Sequence, residues 1–253
     1  MRIEDSVAAV FGGGSGLGEA AARRLAGAGA KVLVADLSAE RAAAVAAEVG
    51  GVAVGTDVSD PASVEAAVAT ATELGPLRIA VNTAGVADPG RLLGREGPKP
   101  LESFARVIEI NLLGTINVLR CAAAAMVGNE PDPSGDRGVC VTTASITAFD
   151  GPTGMVAYAA SKAGVVGLTL PVARELAAAA VRVVTVAPGV FDTPMVAGLP
   201  QRARESLADE VPYPSRPGTP DEYAALVEQI VTNPMLNGET IRLDGALRMG
   251  PGG

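Results

Sequence analysis

Residues 12–18 read Gly12-Gly13-Gly14-Ser15-Gly16-Leu17-Gly18, between an apolar run, Val7–Phe11, and an alanine-rich stretch at 19–28. The apolar run is typical of a buried strand, and the alanine-rich stretch is typical of a helix. Glycines at such a junction allow a tight turn and a close approach of the backbone to a pyrophosphate, and the helix start offers free N–H groups. The stretch predicts a strand–turn–helix unit that binds a dinucleotide, and an ordinary connecting loop is the alternative.

Strand-like and helical stretches alternate along the rest of the chain. Residues 31–35, 52–54, 79–82, 138–143, 181–187 and 240–243 are predicted strands, and residues 39–49, 60–74, 101–126 and 157–180 are predicted helices. Pro171 is expected to weaken or kink the last of these helices. Repeated β-α-β connections place parallel strands side by side with helices on both faces. The pattern therefore predicts an α/β fold, a single-domain Rossmann fold with a doubly wound parallel sheet, over residues 1–253.

Two irregular stretches interrupt this alternation, at 88–100 and 191–220, and both are rich in Pro and Gly. Ligands of doubly wound folds bind beyond the carboxyl ends of the strands, and long loops in compact domains are often functional. We expect these two stretches to form walls of a substrate site.

The composition excludes several kinds of catalytic site. The chain has no histidine, which excludes a Ser-His-Asp triad, a Cys-His pair and every zinc site that contains histidine. Acid–base chemistry must then come from Tyr, Lys, Asp, Glu or Cys. The two cysteines, Cys121 and Cys140, lie in apolar surroundings and are predicted to be core residues, and no metal site is predicted.

Charge and hydropathy limit the partners. The net charge is −8, which argues against a nucleic-acid partner, and no apolar run approaches the ~20 residues that a membrane helix needs. The first residues contain no apolar signal region, and Glu4 and Asp5 argue against a transit peptide. We expect a cytoplasmic protein that binds neither nucleic acid nor a membrane and acts on a small molecule.

A carboxylate follows the second predicted strand. Asp36 lies eighteen residues after Gly18, where it can accept hydrogen bonds from the ribose hydroxyls of adenosine and repel a 2′-phosphate. No Arg or Lys occurs in residues 12–18, and Leu37 follows Asp36. The pattern favours NAD over NADP, with a helix-capping aspartate as the alternative.

Three side chains form a candidate catalytic group. Tyr158 and Lys162 are four residues apart on a predicted helix and so share one face. The pKa of tyrosine is ordinarily about 10, and a nearby ammonium is expected to lower it so that Tyr158 can exchange a proton with an alcohol. Ser145, just after a predicted strand, can hydrogen-bond the substrate oxygen. Each residue alone also fits a solvated helix face or a turn cap.

The chain resembles the short-chain dehydrogenase/reductase family from end to end. Its matching motifs are Gly-x-x-x-Gly-x-Gly at 12–18, Asn-x-Ala-Gly at 82–85 and Tyr-x-x-x-Lys at 158–162. The resemblance implies four catalytic residues, Asn111, Ser145, Tyr158 and Lys162. In that assignment a local helix distortion lets Asn111 anchor a water that connects Lys162 to solvent.

The resemblance also implies the contacts of an NAD cofactor, with Asp57 and Val58 at the adenine and residues 188–193 near the nicotinamide carboxamide. The expected cofactor-binding residues are Gly12, Ser15, Gly16, Leu17, Gly18, Asp36, Leu37, Asp57, Val58, Asn82, Thr83, Ala84, Gly85, Tyr158, Lys162, Pro188, Gly189, Phe191 and Thr193. Members of the family usually form homotetramers through the two long central helices, so a homotetramer is expected here.

Two positions depart from the family pattern. Phe11 stands where the family usually has Thr, and Thr83 stands where its second motif commonly has Asn. The missing hydroxyl at Phe11 puts in doubt one hydrogen bond between the glycine loop and the fourth strand, and does not affect the chemistry.

A narrower resemblance connects the chain to the type-2 3-hydroxyacyl-CoA dehydrogenases, which also act on hydroxysteroids. It rests on residues 129–132 (Asn-Glu-Pro-Asp), 169–174 (Thr-Leu-Pro-Val-Ala-Arg), 237–239 (Asn-Gly-Glu) and 241–245 (Ile-Arg-Leu-Asp-Gly). The insertion at 90–100 and the stretch 212–216 fit this subgroup too.

Three functions remain open from the sequence. The first is NAD-dependent interconversion of a 3-hydroxyacyl-CoA and a 3-oxoacyl-CoA. The second is oxidation of a hydroxysteroid or another apolar secondary alcohol, and the third is a dinucleotide-sensing or scaffold protein. Basic residues near the predicted mouth could bind CoA phosphates or could be solvated surface charges: Arg91, Arg95, Lys99, Arg202, Arg204 and Arg216.

Overall fold

A parallel sheet forms the centre of the computed structural model, which describes residues 1–95, 97–198 and 201–250, without the side chains of residues 202–205. The strands are β1 (Val7–Phe11), β2 (Lys31–Asp36), β3 (Val52–Gly55), β4 (Leu77–Asn82), β5 (Leu93–Gly94), β6 (Gly97–Pro98), β7 (Gly138–Thr143), β8 (Val181–Pro188) and β9 (Thr240–Leu243). Within the described residues, seven of them form one sheet in the order β3-β2-β1-β4-β7-β8-β9, and β5 and β6 form a small antiparallel hairpin.

Helices cover both faces of this sheet. They are α1 (Gly16–Gly27), α2 (Ala39–Val49), α3 (Pro61–Glu73), α4 (Leu101–Ile108), α5 (Gly114–Met126), α6 (Thr147–Asp150), α7 (Val156–Leu176), α8 (Pro194–Ala197), α9 (Gln201–Asp209) and α10 (Pro220–Thr232). A π-helical segment, Glu109–Leu113, joins α4 to α5, and a 3₁₀ turn, Ala177–Ala179, follows α7.

The side chains of β1 show why helices must pack on both faces of the sheet. Ala8 and Val10 belong to one buried apolar cluster, and Val7, Ala9 and Phe11 belong to the other. Successive residues of a strand point to opposite faces, and all five are fully buried here. The predicted doubly wound parallel sheet is therefore confirmed.

The site lies where the strand order reverses direction. β1 pairs with β2 on one side and with β4 on the other, and Phe11 is in register with Asn82. Crossovers leave this point toward opposite edges of the sheet, so a crevice opens beyond the carboxyl ends of β1 and β4. The glycine loop after β1 lines that crevice.

Several predicted boundaries need correction. Helix α1 begins at Gly16, three residues before the predicted start, because the glycine loop already enters the helix. The predicted helix at 101–126 divides into α4, the π-helical segment and α5. The α-helical part of the predicted helix at 157–180 ends at Leu176, and it continues through Pro171 without interruption.

The two stretches predicted to be irregular contain local structure. Residues 88–100 include the β5–β6 hairpin, and residues 191–220 include α8 and α9. Helix α10 follows, and no helix was predicted there. It begins with a capping box formed by Thr219 and Glu222, in which the Glu222 carboxylate accepts a hydrogen bond from the backbone N–H of Thr219.

Candidate active site

One cleft of about 690 Å³ brings most of the predicted site residues together. The predicted residues that line it are Gly12, Ser15, Gly16, Leu17, Asp36, Leu37, Asp57, Val58, Thr83, Ala84, Gly85, Ser145, Tyr158, Lys162, Pro188, Gly189, Phe191 and Thr193. The predicted residues Gly18, Asn82 and Asn111 are not part of this lining. The cleft is therefore the candidate dinucleotide and substrate site.

The glycine loop has the shape that an anionic pyrophosphate requires. Ser15 precedes α1, and its side chain does not cap the helix. Among the described residues, no group accepts a hydrogen bond from the N–H of Gly16 or Leu17. Gly16 and Leu17 line the cleft, so their free N–H groups and the positive end of the α1 dipole are available to a phosphate-bearing cofactor.

Two glycines allow this loop to lie against β4. A Cβ at Gly18 would come within 2.2 Å of the Gly12 carbonyl oxygen, and a Cβ at Gly12 would come within 2.7 Å of the Ala84 nitrogen. Gly12 also has a φ of +76°, which side chains rarely adopt. Only glycine permits both contacts without moving the loop.

Thr83 makes the connection that was in doubt at Phe11. Its hydroxyl lies 3.0 Å from the Phe11 carbonyl oxygen and 3.2 Å from that of Gly12, and its N–H donates to the Phe11 carbonyl at 2.9 Å. The two departures from the family pattern thus compensate for each other, because a hydroxyl directly after β4 replaces one on β1. The glycine loop and the fourth strand remain linked.

Asp36 is almost fully engaged by the protein. Its Oδ2 accepts from the N–H of Gly14 at 3.0 Å, and its Oδ1 accepts from the N–H of Ser38 at 2.9 Å and from Arg41 Nη2 at 3.0 Å. The Ser38 hydroxyl, and not Asp36, caps α2 by accepting from the N–H of Arg41. A carboxylate oxygen has two lone pairs, so Oδ2 keeps one for a ribose hydroxyl.

Arg41 is a cleft residue that the sequence reasoning missed. It lies in the first turn of α2, lines the cleft, and has a side chain that is 58% exposed beside the 7% exposed side chain of Asp36. Its position three residues after the Ser38 cap could have indicated it, because that spacing returns the side chain toward the end of β2. The pair keeps a positive charge next to this carboxylate.

Lys162 extends from α7 into the cleft and is almost fully buried. Its Nζ donates to the Thr143 carbonyl at 2.8 Å and lies 5.7 Å from the centre of the Tyr158 ring. Burial lowers the pKa of Lys162 to about 8 because the ammonium is taken out of water.

The pKa of Tyr158 moves in the direction opposite to the expectation from sequence. Burial raises the pKa of the phenol, and a hydrogen bond with Ser145 offsets part of that rise. The expected lowering by Lys162 is therefore not realised in the protein alone. A further positive charge in the cleft would favour the phenolate form.

The predicted helix distortion at Asn111 is a π-helical segment. Asn111 is fully buried, and its Oδ1 accepts from the N–H of Val86 at 2.8 Å while its Nδ2 donates to the Val86 carbonyl at 2.9 Å and to the Ser161 hydroxyl at 3.0 Å. A Cβ at Gly85 would lie 3.1 Å from Asn111 Oδ1 and 3.4 Å from Lys162 Nζ. These two polar groups therefore converge over Gly85, and the water between them stays a prediction.

Asn82 supports the same region from behind. Its Nδ2 donates to the Thr115 hydroxyl at 2.9 Å, and that hydroxyl donates to the Asn111 carbonyl at 2.7 Å. The sequence reasoning missed Thr115 and Ser161, since neither belongs to a motif and only tertiary contact identifies them.

The basic residues near the mouth differ in their surroundings. Lys99 pairs with Asp88 at 2.9 Å, and Arg216 pairs with Glu222 at 2.8 Å. Arg91 and Arg95 are exposed and have no hydrogen bond or ion pair with another described residue. The side chains of Arg202 and Arg204 lie outside the described residues.

Comparison with known proteins agrees with this geometry. The family model described as short chain dehydrogenase matches residues 6–204. The chain is 50% identical to 3-hydroxyacyl-CoA dehydrogenase type-2 of Drosophila melanogaster, over 98% of this chain and 100% of that protein.

Two solved structures share the fold over nearly the whole chain. One is 3-hydroxyacyl-CoA dehydrogenase type-2 from Mycobacterium avium, with a TM-score of 0.94, 43% identity and coverage of 99% of this chain and 98% of that one. The other is 3-ketoacyl-(acyl-carrier-protein) reductase from Brucella melitensis complexed with NADH, with a TM-score of 0.86, 30% identity and coverage of 98% and 100%. With the glycine loop, Ser145, Tyr158 and Lys162 in one cleft, the chain belongs to the short-chain dehydrogenase family.

Proposed function

We propose that this protein is an NAD-dependent oxidoreductase that interconverts a 3-hydroxyacyl-CoA and a 3-oxoacyl-CoA, with Tyr158 as the acid/base. The observation that carries the proposal is the convergence of Ser145, Tyr158 and Lys162 in the cleft that also holds the glycine loop and Asp36. The substrate class is inferred from relatives that bear this activity in their names and match nearly the whole chain.

Each group has a role in the oxidation of the alcohol. Ser145 hydrogen-bonds the substrate oxygen and holds it against Tyr158, which takes the hydroxyl proton as the carbon loses hydride. The glycine loop and Asp36 would hold NAD in this cleft, where it would supply the hydride acceptor and a positive charge that favours the phenolate form of Tyr158. Lys162 and Asn111 hold the proton path from Tyr158 toward solvent. In reduction, Tyr158 returns the proton to the ketone oxygen.

The assembly and location are further proposals. We propose a cytoplasmic homotetramer with a small-molecule substrate and no nucleic-acid or membrane partner. Exposed apolar residues on the central helices support the tetramer, among them Ile116 on α5 and Leu170 on α7. Helical regions Leu101–Met126 and Val156–Ala179 are long and apolar enough to cross a membrane by length and composition, which corrects the expectation that no apolar run approaches that length. The apolar window of the first is 56% buried in the domain and that of the second is 33% buried, and the first value supports a core helix of a domain outside the membrane.

The first experiment follows NADH absorbance with acetoacetyl-CoA as substrate, with NADPH in parallel. We expect rapid loss of absorbance with NADH and little with NADPH, because Asp36 repels a 2′-phosphate. Equal turnover with NADPH would contradict the cofactor assignment. Turnover of a ketosteroid panel without turnover of acetoacetyl-CoA would shift the substrate to apolar alcohols.

Tyr158→Phe separates an enzyme from a sensor or scaffold. The substitution removes only the phenolic hydroxyl, so we expect kcat to fall by about 10²–10⁴-fold. The affinity for NADH, followed by its fluorescence, is expected to change little. Undiminished turnover in this variant would contradict the assigned mechanism.

A further inference from the structure

The turn that carries Ser145 is too short to hold its own shape. Helix α6, directly behind Ser145, has four residues, Thr147–Asp150. One helical turn is unstable alone, because nucleation fixes several dihedral angles for a single hydrogen bond. The Ser145 hydroxyl accepts from the N–H of Thr147 at 3.2 Å, so its direction depends on this turn. Contacts from elsewhere in the fold must therefore fix it.

The two ends of the turn are fixed by different elements. At the first end, the N–H of Ile146 donates to the carbonyl of Pro188 at the end of β8, at 3.0 Å. At the second end, the Asp150 carboxylate receives a two-point ion pair from Arg242 in β9, with Nη1–Oδ1 at 3.0 Å and Nη2–Oδ2 at 2.9 Å. The Asp150 side chain is 9% exposed, so water competes little with this pair.

Arg242 also binds the C-terminal segment to the same place. Its Nε donates to Asp244 at 2.6 Å, and its Nη2 donates to the Leu247 carbonyl at 2.9 Å. The N–H of Met249 donates to Asp150 Oδ2 at 3.0 Å. One guanidinium thus joins β9, the residues after it and the end of the Ser145 turn.

Apolar packing reinforces the connection. Ile146 and Leu247 belong to one buried cluster with Val190 and Val211. The Arg242 guanidinium lies 5.1 Å from the centre of the Phe149 ring. Movement of the C-terminal segment would therefore be transmitted to the residue next to Ser145.

We propose that Arg242 and Asp150 are positioning residues for the reaction, whose ion pair holds the Ser145 turn so that the serine hydroxyl meets Tyr158. A bidentate pair fixes orientation as well as distance, which a single contact does not. Neither side chain lines the cleft, so both act through Ser145. The inference rests on the dehydrogenase chemistry at Tyr158 and does not depend on which ketone is the substrate.

Asp150→Asn and Arg242→Gln test the pair, alone and together, with the ketone that the wild-type protein reduces. We expect each variant to lose about 10- to 100-fold in kcat, because a small misplacement of a positioned group has that effect. The KM for NADH is expected to stay within about twofold, since the hydrogen bonds of this pair involve neither the glycine loop nor Asp36. The double variant is expected to lose no more than the worse single variant, because both remove one interaction.

A pH profile distinguishes positioning from general loss of stability. The hydrogen bond with Ser145 lowers the pKa of Tyr158, and a displaced serine would remove that effect. The acidic limb of kcat/KM for alcohol oxidation should therefore move to higher pH in both variants. Lys162, the charged group packed against the Tyr158 ring, is untouched by either substitution.

Asp136→Asn is the matched control. Asp136 pairs with Arg182 at 3.1 Å, and both side chains are at most 11% exposed, but this pair lies at the amino end of β8, away from the cleft. It should reduce stability without changing kcat or the acidic limb. The proposal is overturned if Asp136→Asn lowers kcat as much, or if the two test variants keep wild-type kcat and pH profile.

A milder variant keeps the test decisive if Arg242→Gln does not fold. Arg242→Lys retains the charge and presents a point donor instead of the planar fork. An intermediate loss of kcat with the shifted acidic limb is expected. Full wild-type activity of a folded Arg242→Lys protein would overturn the proposal.

Discussion

Lys162 places its amine in a nearly closed part of the cleft, where 3% of the residue is exposed. Burial lowers its pKa to about 8 from the usual 10.5. Between these two pH values the folded protein has lost the proton and the unfolded chain still holds it. Stability from this group is therefore present above pH 10.5 and is lost as the pH falls through about 8.

Lys162→Met is expected to stabilise the cofactor-free protein at pH 7 while removing activity. The variant no longer buries an ammonium, and the gain in the free energy of unfolding should be on the order of 1–3 kcal/mol, reduced by loss of the bond to the Thr143 carbonyl. Denaturant unfolding at pH 7, 8, 9 and 10 measures it. The advantage should shrink as the pH rises above about 8.

The exposed Lys31 provides the control for that substitution. Lys31→Met removes a surface amine and its hydrogen bond to the Leu74 carbonyl, so it should not stabilise the protein at pH 7. An advantage of Lys162→Met that is the same at every pH would show that the ammonium is not strained by burial.

At the scale of the element, the connection from β1 to α1 depends on a glycine inside the helix. A Cβ at Gly18 would lie 2.2 Å from the Gly12 carbonyl oxygen and 2.5 Å from the Thr83 hydroxyl. Gly18→Ala should therefore push the glycine loop away from β4 and weaken NADH binding by at least about tenfold, which corresponds to ~1.4 kcal/mol. Fluorescence titration with NADH measures the change.

Gly27→Ala is the control on the same helix. A Cβ at Gly27 meets nothing within 4 Å, and alanine favours the helix by up to about 1 kcal/mol over glycine. This variant should bind NADH like the wild type and melt at the same or a higher temperature. Equal binding by Gly18→Ala would show that the loop can relax around the added methyl group.

The elements of the sheet could be predicted because each combines an apolar run with a clear stop. The boundaries of α2 and β7 match the prediction, since Ser38 and Gly50 bound the first and apolar residues fill the second. The π-helical segment around Asn111 could be anticipated only through the family resemblance. Its composition, Glu-Ile-Asn-Leu-Leu, is that of an ordinary helix, and tertiary contacts with Val86 and Ser161 select the wider turn.

Helix α10 was missed although its start is readable. Thr219-Pro220-Asp221-Glu222 is a capping box with proline in the first turn, but the preceding Pro- and Gly-rich stretch concealed it. The motif residues of the site were predicted because short spacings preserve them. Thr115 and the pair of Asp150 with Arg242 depend on approach in space, and the last pair is 92 residues apart in the chain.

At the scale of the whole molecule, the two faces of the sheet are covered, yet the central helices still expose apolar side chains. Ile116 is 42% exposed on α5 and Leu170 is 44% exposed on α7. Scattered exposed apolar residues are normal in a monomer. Ile116 and Leu170, however, lie on the two helices that are expected to form an interface, which favours their burial against a second copy of the chain. In a two-fold symmetric interface, each contact that one of these residues makes with the second copy would occur twice.

A charged substitution on this surface should therefore dissociate the proposed tetramer. Ile116→Lys and Leu170→Lys place an ammonium in an apolar contact, where burial without a partner is costly, so light scattering should show four chains for the wild type and fewer for the variants. Leu93→Lys, on the β5–β6 hairpin where Leu93 is 69% exposed, should remain tetrameric. A wild-type protein that is monomeric at micromolar concentration, or variants that assemble normally, would place the apolar residues of α5 and α7 outside any interface.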